Sequence, residues 1–157
     1  MTVPIRATLV AATTEARHAL RGEHGIRFTH FPFRVGRESH RLARAGETAR
    51  APHGNDFYLM ERETARRHIS RVHFTIEHSH GRFFLVDRGS TCGTVVAGRR
   101  VGGDRSGGRI ELRHGDEVVV GTARSPFRFV FLAADLAQES PHASVRCRGF
   151  LAHPGAT

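Results

Sequence analysis

Lysine is absent from this sequence, and cysteine nearly so: 157 residues include only Cys92 and Cys147. Two thiols cannot form a disulfide framework, and no CxxC pair is present to hold zinc. The expectation is a reducing, cytoplasmic compartment. Long apolar runs are missing as well, and nothing approaches the ~18–20 residues of a membrane helix. The opening stretch, Met1 to Leu20, is broken by Arg6, Glu15, Arg17 and His18, which does not fit a secretory leader. Catalytic signatures are also lacking: there is no GxSxG elbow, Walker loop, HExxH or GxGxxG after a strand. The glycine-dense stretch from Gly102 to Gly108 has no phosphate-binding lysine and reads as a turn. His78 and His80 sit in a turn without carboxylate or cysteine partners, so no metal and no cofactor are expected. An enzyme is the class these absences disfavour most.

The chain does have positive charge. Twenty-four basic residues face 15 acidic ones, a formal charge of +9, and 12 histidines add to it in acid. Such a chain favours anionic partners: phosphoproteins, nucleic acid or acidic membranes. The arginines are scattered. No basic stripe lies along one helix, and no nucleic-acid-binding motif is present, so nucleic acid is not expected. Hydrophobic residues at 39% and charged residues at 25% are those of a folded globular domain. The length suits one domain plus an extra loop or tail. Nothing in the sequence signals an oligomeric state.

Short strands divided by turn residues recur along the chain. Residues 6–12 read as a first strand, and residues 13–25 as either a helical turn or a long loop. Ile26–His30 and Phe33–Gly36 follow as strands, then a polar loop over 38–54, then a short extended piece, Asp56–Met60. Val72, Phe74 and Ile76 alternate with His73, Thr75 and Glu77, which is the period of a half-buried strand. His78 to Gly81 reads as a hairpin turn, with Phe83–Asp87 as the return strand. Val95–Val96, Val101, Ile110–Leu112, Glu117–Val120 and Phe127–Leu132 close the set. Phe127, Phe129 and Phe131 share one face, and phenylalanines at this spacing are core residues. The pattern predicts an all-β sandwich of two antiparallel sheets with about 10–11 strands. The expected division is a sandwich over 1–132 and an extension over 133–157, a short helix or a loose tail.

On that frame lie five short motifs in order. Phe33-Arg34-Val35-Gly36-Arg37 resembles the strand-to-loop "(I/V)GR" of the forkhead-associated (FHA) family. Asn55-Asp56-Phe57-Tyr58-Leu59 resembles its "xDIxL" segment, and Ser70-Arg71-Val72-His73 matches "SRxH". Asp87 to Thr94 resembles "DxxSTNGT", and His114 to Val118 resembles "xGDxI". The resemblance spans about residues 6–132 and implies a phosphothreonine-peptide reader.

A phosphothreonine presents nearly two negative charges and three acceptor oxygens. Its site needs a fixed cation and short donors. Arginine at the end of a strand offers forked, charge-assisted donors. The resemblance implies that Arg37 pairs with the phosphate, Ser70 hydrogen-bonds it, Arg71 flanks it and Thr91 completes the cradle. Backbone N–H groups of Ser70, Arg71 and Thr91 are expected to help. His73 is expected to brace the two recognition loops, while Gly36 and Gly93 provide backbone room. His68, two residues before Ser70, stands where the family reaches phosphate or peptide.

One position departs from the pattern. Cys92 stands where the family has an asparagine whose amide clamps the ligand backbone. A thiol is a weak donor and a weak acceptor. Losing one ordinary hydrogen bond costs about 1 kcal/mol, or several-fold in affinity. The alternative to a phosphothreonine-dependent adaptor is therefore a phospho-independent interaction scaffold. Ala97 also replaces a common asparagine, at a turn.

Overall fold

The computed structural model describes residues 5–39, 54–62 and 66–135. Among the described residues, eleven strands and one short helix form a two-sheet sandwich. The first sheet has the order β2 (Gly25–Phe28), β1 (Ile5–Ala11), β11 (Arg128–Asp135), β10 (Glu117–Val120), β7 (Thr94–Val96), β8 (Arg99–Val101). The second has the order β4 (Phe57–Leu59), β3 (Phe33–Arg37), β5 (Phe74–Ser79), β6 (Arg82–Asp87), β9 (Gly108–Leu112). Among the described residues all pairings are antiparallel except β3 with β4, which run parallel. The expected loop over 38–54 falls almost wholly outside the described residues.

Alternation places the core between the sheets. Leu9, Val118, Phe129 and Phe131 from the first sheet meet Val35, Phe74, Ile76 and Leu85 from the second, all completely buried. Burying each such side chain contributes roughly 1.5–3 kcal/mol before ordering costs. Edge-on rings tie the layers together: Phe28 meets Phe33 at 5.1 Å and Phe83 meets Phe131 at 5.3 Å.

One open alternative is resolved, and two elements differ from the expectation. The stretch 13–25 contains a helix, α1 (Thr14–Ala19), capped by Thr13, whose Oγ1 accepts the Ala16 N–H at 3.2 Å. Ala16, Ala19 and Leu20 bury one side of it. The β5–β6 turn is shorter than His78–Gly81. Strand pairing runs out to Ser79 and Arg82, leaving His80 and Gly81 at φ +50° and +74° as a two-residue hairpin. β11 continues past Leu132 to Asp135, because Ala133 and Ala134 pair with Ala7 and Arg6. Residues 136–157 lie outside the described residues. No helix among the described residues is long and apolar enough to cross a membrane.

The topology gathers the loops that matter. β3, β4, β6 and β10 end, and β5, β7 and β11 begin, at one pole of the sandwich, where α1 also sits.

Candidate functional site

Arg37 is the last residue of β3, and its position depends on Gly36. A Cβ at Gly36 would collide with the Arg71 carbonyl and the Asn55 side-chain amide. With glycine there, the 66–73 segment packs directly on the strand. The Arg37 N–H donates to Ser70 O at 2.9 Å, and Arg37 Nε donates to Ile69 O at 2.9 Å. The guanidinium is thus fixed through its inner edge. Burial lowers the Arg37 pKa, the neighbouring Arg67 charge adds to this, Glu61 opposes it and Arg71 adds a little. An arginine nevertheless stays cationic, so the site concentrates positive charge that an anion would relieve.

The segment carrying Ser70 is braced from below. Glu61 is buried, and its two carboxylate oxygens accept the His68 N–H at 2.6 Å and the Ile69 N–H at 2.9 Å. Asn55 Nδ2 donates to Arg71 O at 2.7 Å while its Oδ1 accepts Arg88 Nη1 at 2.6 Å. His73, completely buried, links this segment to the next loop. Its Nδ1 accepts the Ser70 N–H at 2.9 Å and its Nε2 donates to Gly93 O at 2.9 Å. That pairing requires the neutral Nε2–H tautomer. Burial lowers the pKa of His73, although the Gly93 hydrogen bond and Asp87 oppose the shift. The strand alternation did place His73 opposite Phe74, but both loops close over it, so it faces no solvent.

The loop between β6 and β7 is shaped by Asp87. Its Oδ1 accepts the Gly89 and Ser90 N–H groups at 3.0 and 2.9 Å, and its Oδ2 accepts Ser90 Oγ at 2.5 Å. Ser90 Oγ in turn accepts the Gly93 N–H at 3.0 Å. Gly93 has φ +76°, and a side chain there would press on Val101 O at 2.9 Å, which restricts the position to glycine. Thr91 is thereby presented at the surface. Cys92 is half-buried beside it, its thiol donating weakly to Arg67 O at 3.5 Å.

Together these segments enclose a pocket of about 340 Å³, and Arg37, His68, Ser70, Arg71, Thr91 and Cys92 all line it. Gly36, His73 and Gly93 lie beneath it. Two of the three expected backbone donors are already engaged. The Ser70 N–H is taken by His73, and the Thr91 N–H donates to Ser70 Oγ at 3.0 Å. Both residues still line the pocket. Asn55, Asp87 and Ser90 stand inside the quoted motifs without an assigned role, and Glu61 lies outside them. Glu61 carried one usable signal, since it continues the inward period from Leu59.

A family model described as "FHA domain" matches residues 33–121. The chain belongs to the FHA domain family. No curated protein matches it. Among solved structures, the Rv1747 FHA-1 domain of Mycobacterium tuberculosis is similar, with a TM-score of 0.51 and 20% identity over 83% of this chain and 98% of that one. An FHA domain from an Arabidopsis thaliana protein gives a TM-score of 0.53 and 20% identity over 88% and 92% of the two chains. Mycobacterium tuberculosis EmbR, in complex with a low affinity phosphopeptide, gives a TM-score of 0.51 and 19% identity over 81% of this chain. This FHA domain spans only 24% of that EmbR chain. At such identities the likeness is one of fold.

Proposed function

We propose that this FHA domain is a non-enzymatic, cytoplasmic adaptor that binds a protein partner through a phosphothreonine. The observation that carries the reading is the fixed Arg37 guanidinium, crowded by Arg67 and Arg71 in a pocket that also holds the Ser70 and Thr91 hydroxyls. Glu61 offsets part of that charge, but its two oxygens accept the loop amides of His68 and Ile69. Phosphate supplies the charge and acceptors this arrangement lacks. Ile69 and Val72 add apolar wall for the methyl group that distinguishes threonine from serine. The EmbR chain with the same fold holds a phosphopeptide, and arginine clusters are a recurrent solution to phosphopeptide recognition.

One observation favours a second reading, a phospho-independent scaffold. The Cys92 thiol is turned to Arg67 O and has no amide to offer a ligand backbone. A single experiment separates the two readings. Phosphothreonine, phosphoserine and unphosphorylated peptide libraries are titrated against wild type and Arg37→Ala. The adaptor reading expects phosphothreonine peptides to be selected. It expects Arg37→Ala to weaken them at least ten- to hundred-fold, the worth of one or two charge-assisted hydrogen bonds at about 1.5–3 kcal/mol each. Equal binding of unphosphorylated peptides, unaffected by Arg37→Ala, establishes the scaffold instead.

A further inference from the structure

Each sheet ends on one flank of the sandwich in a strand with an unpaired edge, β8 in the first sheet and β9 in the second. We propose that an acidic segment of a protein partner adds to this flank as a further strand. The site shares no residue with the arginine pocket and does not depend on the phosphothreonine reading.

The two edges meet at one point. A Cβ placed on Gly108 would lie 3.2 Å from Gly102 N and 3.8 Å from Val101 Cγ1. From there β8 runs back to Arg99 and β9 runs forward to Leu112, and no strand pairing joins them among the described residues. The space between them is a cleft of about 530 Å³, with Val96 and Ile110 at its base, both packed on the core. An unpaired edge offers an extended chain a row of backbone N–H and C=O groups.

Charge selects the chain that fits. Arg99 stands on one lip of the cleft, Arg109 and Arg113 on the other. The Arg99 guanidinium has no ion-pair or hydrogen-bond partner among the described residues. Arg109 is held in place over the Phe84 ring, its Cζ 3.6 Å from the centroid. The carboxylates beside the other two are at the long end of an ion pair: Glu77 is 3.7 Å from Arg109 Nε and Glu111 is 3.9 Å from Arg113 Nε. Asp116 Oδ2 accepts the Arg113 N–H at 2.8 Å. Charged side chains on an edge reject a chance apolar strand. Arginines on both lips admit a strand of opposite sign.

The register of β9 gives that strand a pattern. Arg109 pairs with Val86 and Glu111 with Phe84 on the outer face, whereas Ile110 pairs with the buried Leu85 on the core face. Residues directly opposite on neighbouring strands interact, and opposite charges attract. The added strand therefore carries acids opposite Arg109 and Arg113, four residues or about 13 Å apart. Aliphatic residues face Ile110 and Leu112, and a neutral polar residue faces Glu111. A nucleic-acid strand fits less well. It has no amides for a sheet edge, and its unbroken row of phosphates would meet Glu111 and Asp116.

The test titrates the full chain with a fluorescent, unphosphorylated peptide in which two glutamates four residues apart enclose valine, threonine and valine. The controls are the same peptide with lysines for the glutamates, and a single-stranded oligonucleotide. The glutamate peptide is expected to bind at least ten-fold more tightly than the lysine peptide, and less tightly as salt is raised. Arg99→Glu combined with Arg113→Glu changes two exposed positions, and thermal melting checks that the variant is folded. It is expected to weaken the glutamate peptide at least ten-fold, whereas Arg37→Ala leaves it unchanged. Amide exchange over residues 108–112 is expected to slow in the complex, the mark of strand addition. The inference is overturned if the glutamate peptide does not bind, if the double reversal leaves its affinity intact, or if protection falls on the arginine pocket instead. Tighter binding of the oligonucleotide also overturns it. None of these outcomes touches the adaptor reading, which stands or falls on phosphothreonine peptides.

Discussion

The turn between β7 and β8 holds Ala97 at φ +47° and Gly98 at φ +80°. The left-handed region is costly for alanine, whereas asparagine visits it readily. Ala97→Asn is therefore expected to stabilise the fold by about 0.5–1 kcal/mol, raising the melting temperature by roughly 2–4 °C in a thermal scan. A melting temperature that falls would show the turn to be unstrained. Single positions also show what was legible at this scale. Arg37, Ser70 and Thr91 could be read because motif order fixes residue type at the pocket wall. Glu61 and Asn55 could not, because each acts by satisfying amides or a carbonyl of a segment several residues away. Such a partnership exists only once the loops have closed.

Among the elements, the segment carrying Ser70 depends on one carboxylate. Glu61→Gln keeps the size and one acceptor oxygen but leaves the His68 or Ile69 N–H without an acceptor, at a cost of about 1–3 kcal/mol. The measurement is hydrogen exchange at those two amides, which is expected to accelerate in the variant. Unchanged exchange would mean the loop is held by other contacts. Strands were legible at this scale because one buried face imposes period 2. The helix α1 was not, since six residues are too few for helical periodicity to stand out. The end of β11 was not either. Ala133 and Ala134 have no strand character of their own and are extended because β1 pairs with them.

For the whole molecule, His73 ties the geometry of the arginine pocket to pH. Burial lowers its pKa in the folded state below the ordinary histidine value of 6.5. The unfolded chain therefore binds the proton first as pH falls. Stability is complete above about pH 6.5 and declines below it, down to the folded-state value. Protonation would place a hydrogen on Nδ1, facing the Ser70 N–H, so unfolding and loosening of the pocket share one cause. Urea unfolding midpoints are expected to fall between pH 7 and pH 5 in wild type. The fall should be shallower in His73→Gln, which starts from a lower stability. Equal slopes would assign the pH dependence to other histidines. The sandwich itself was readable from the spacing of strands and turns, but the parallel β3–β4 pair was not, because it depends on where a long connection returns.

β1 and β11 pair with Ile5 opposite Asp135, at the pole away from the loops. This register gives the fold a mechanical anisotropy. Tension applied between Ile5 and Asp135 peels the two strands apart one rung at a time, and the sandwich yields at low force. Tension applied between either of these residues and a partner held at the opposite pole runs along the strands, and many rungs resist it together. A load passed through a bound partner is therefore carried in the direction in which this sandwich is strongest.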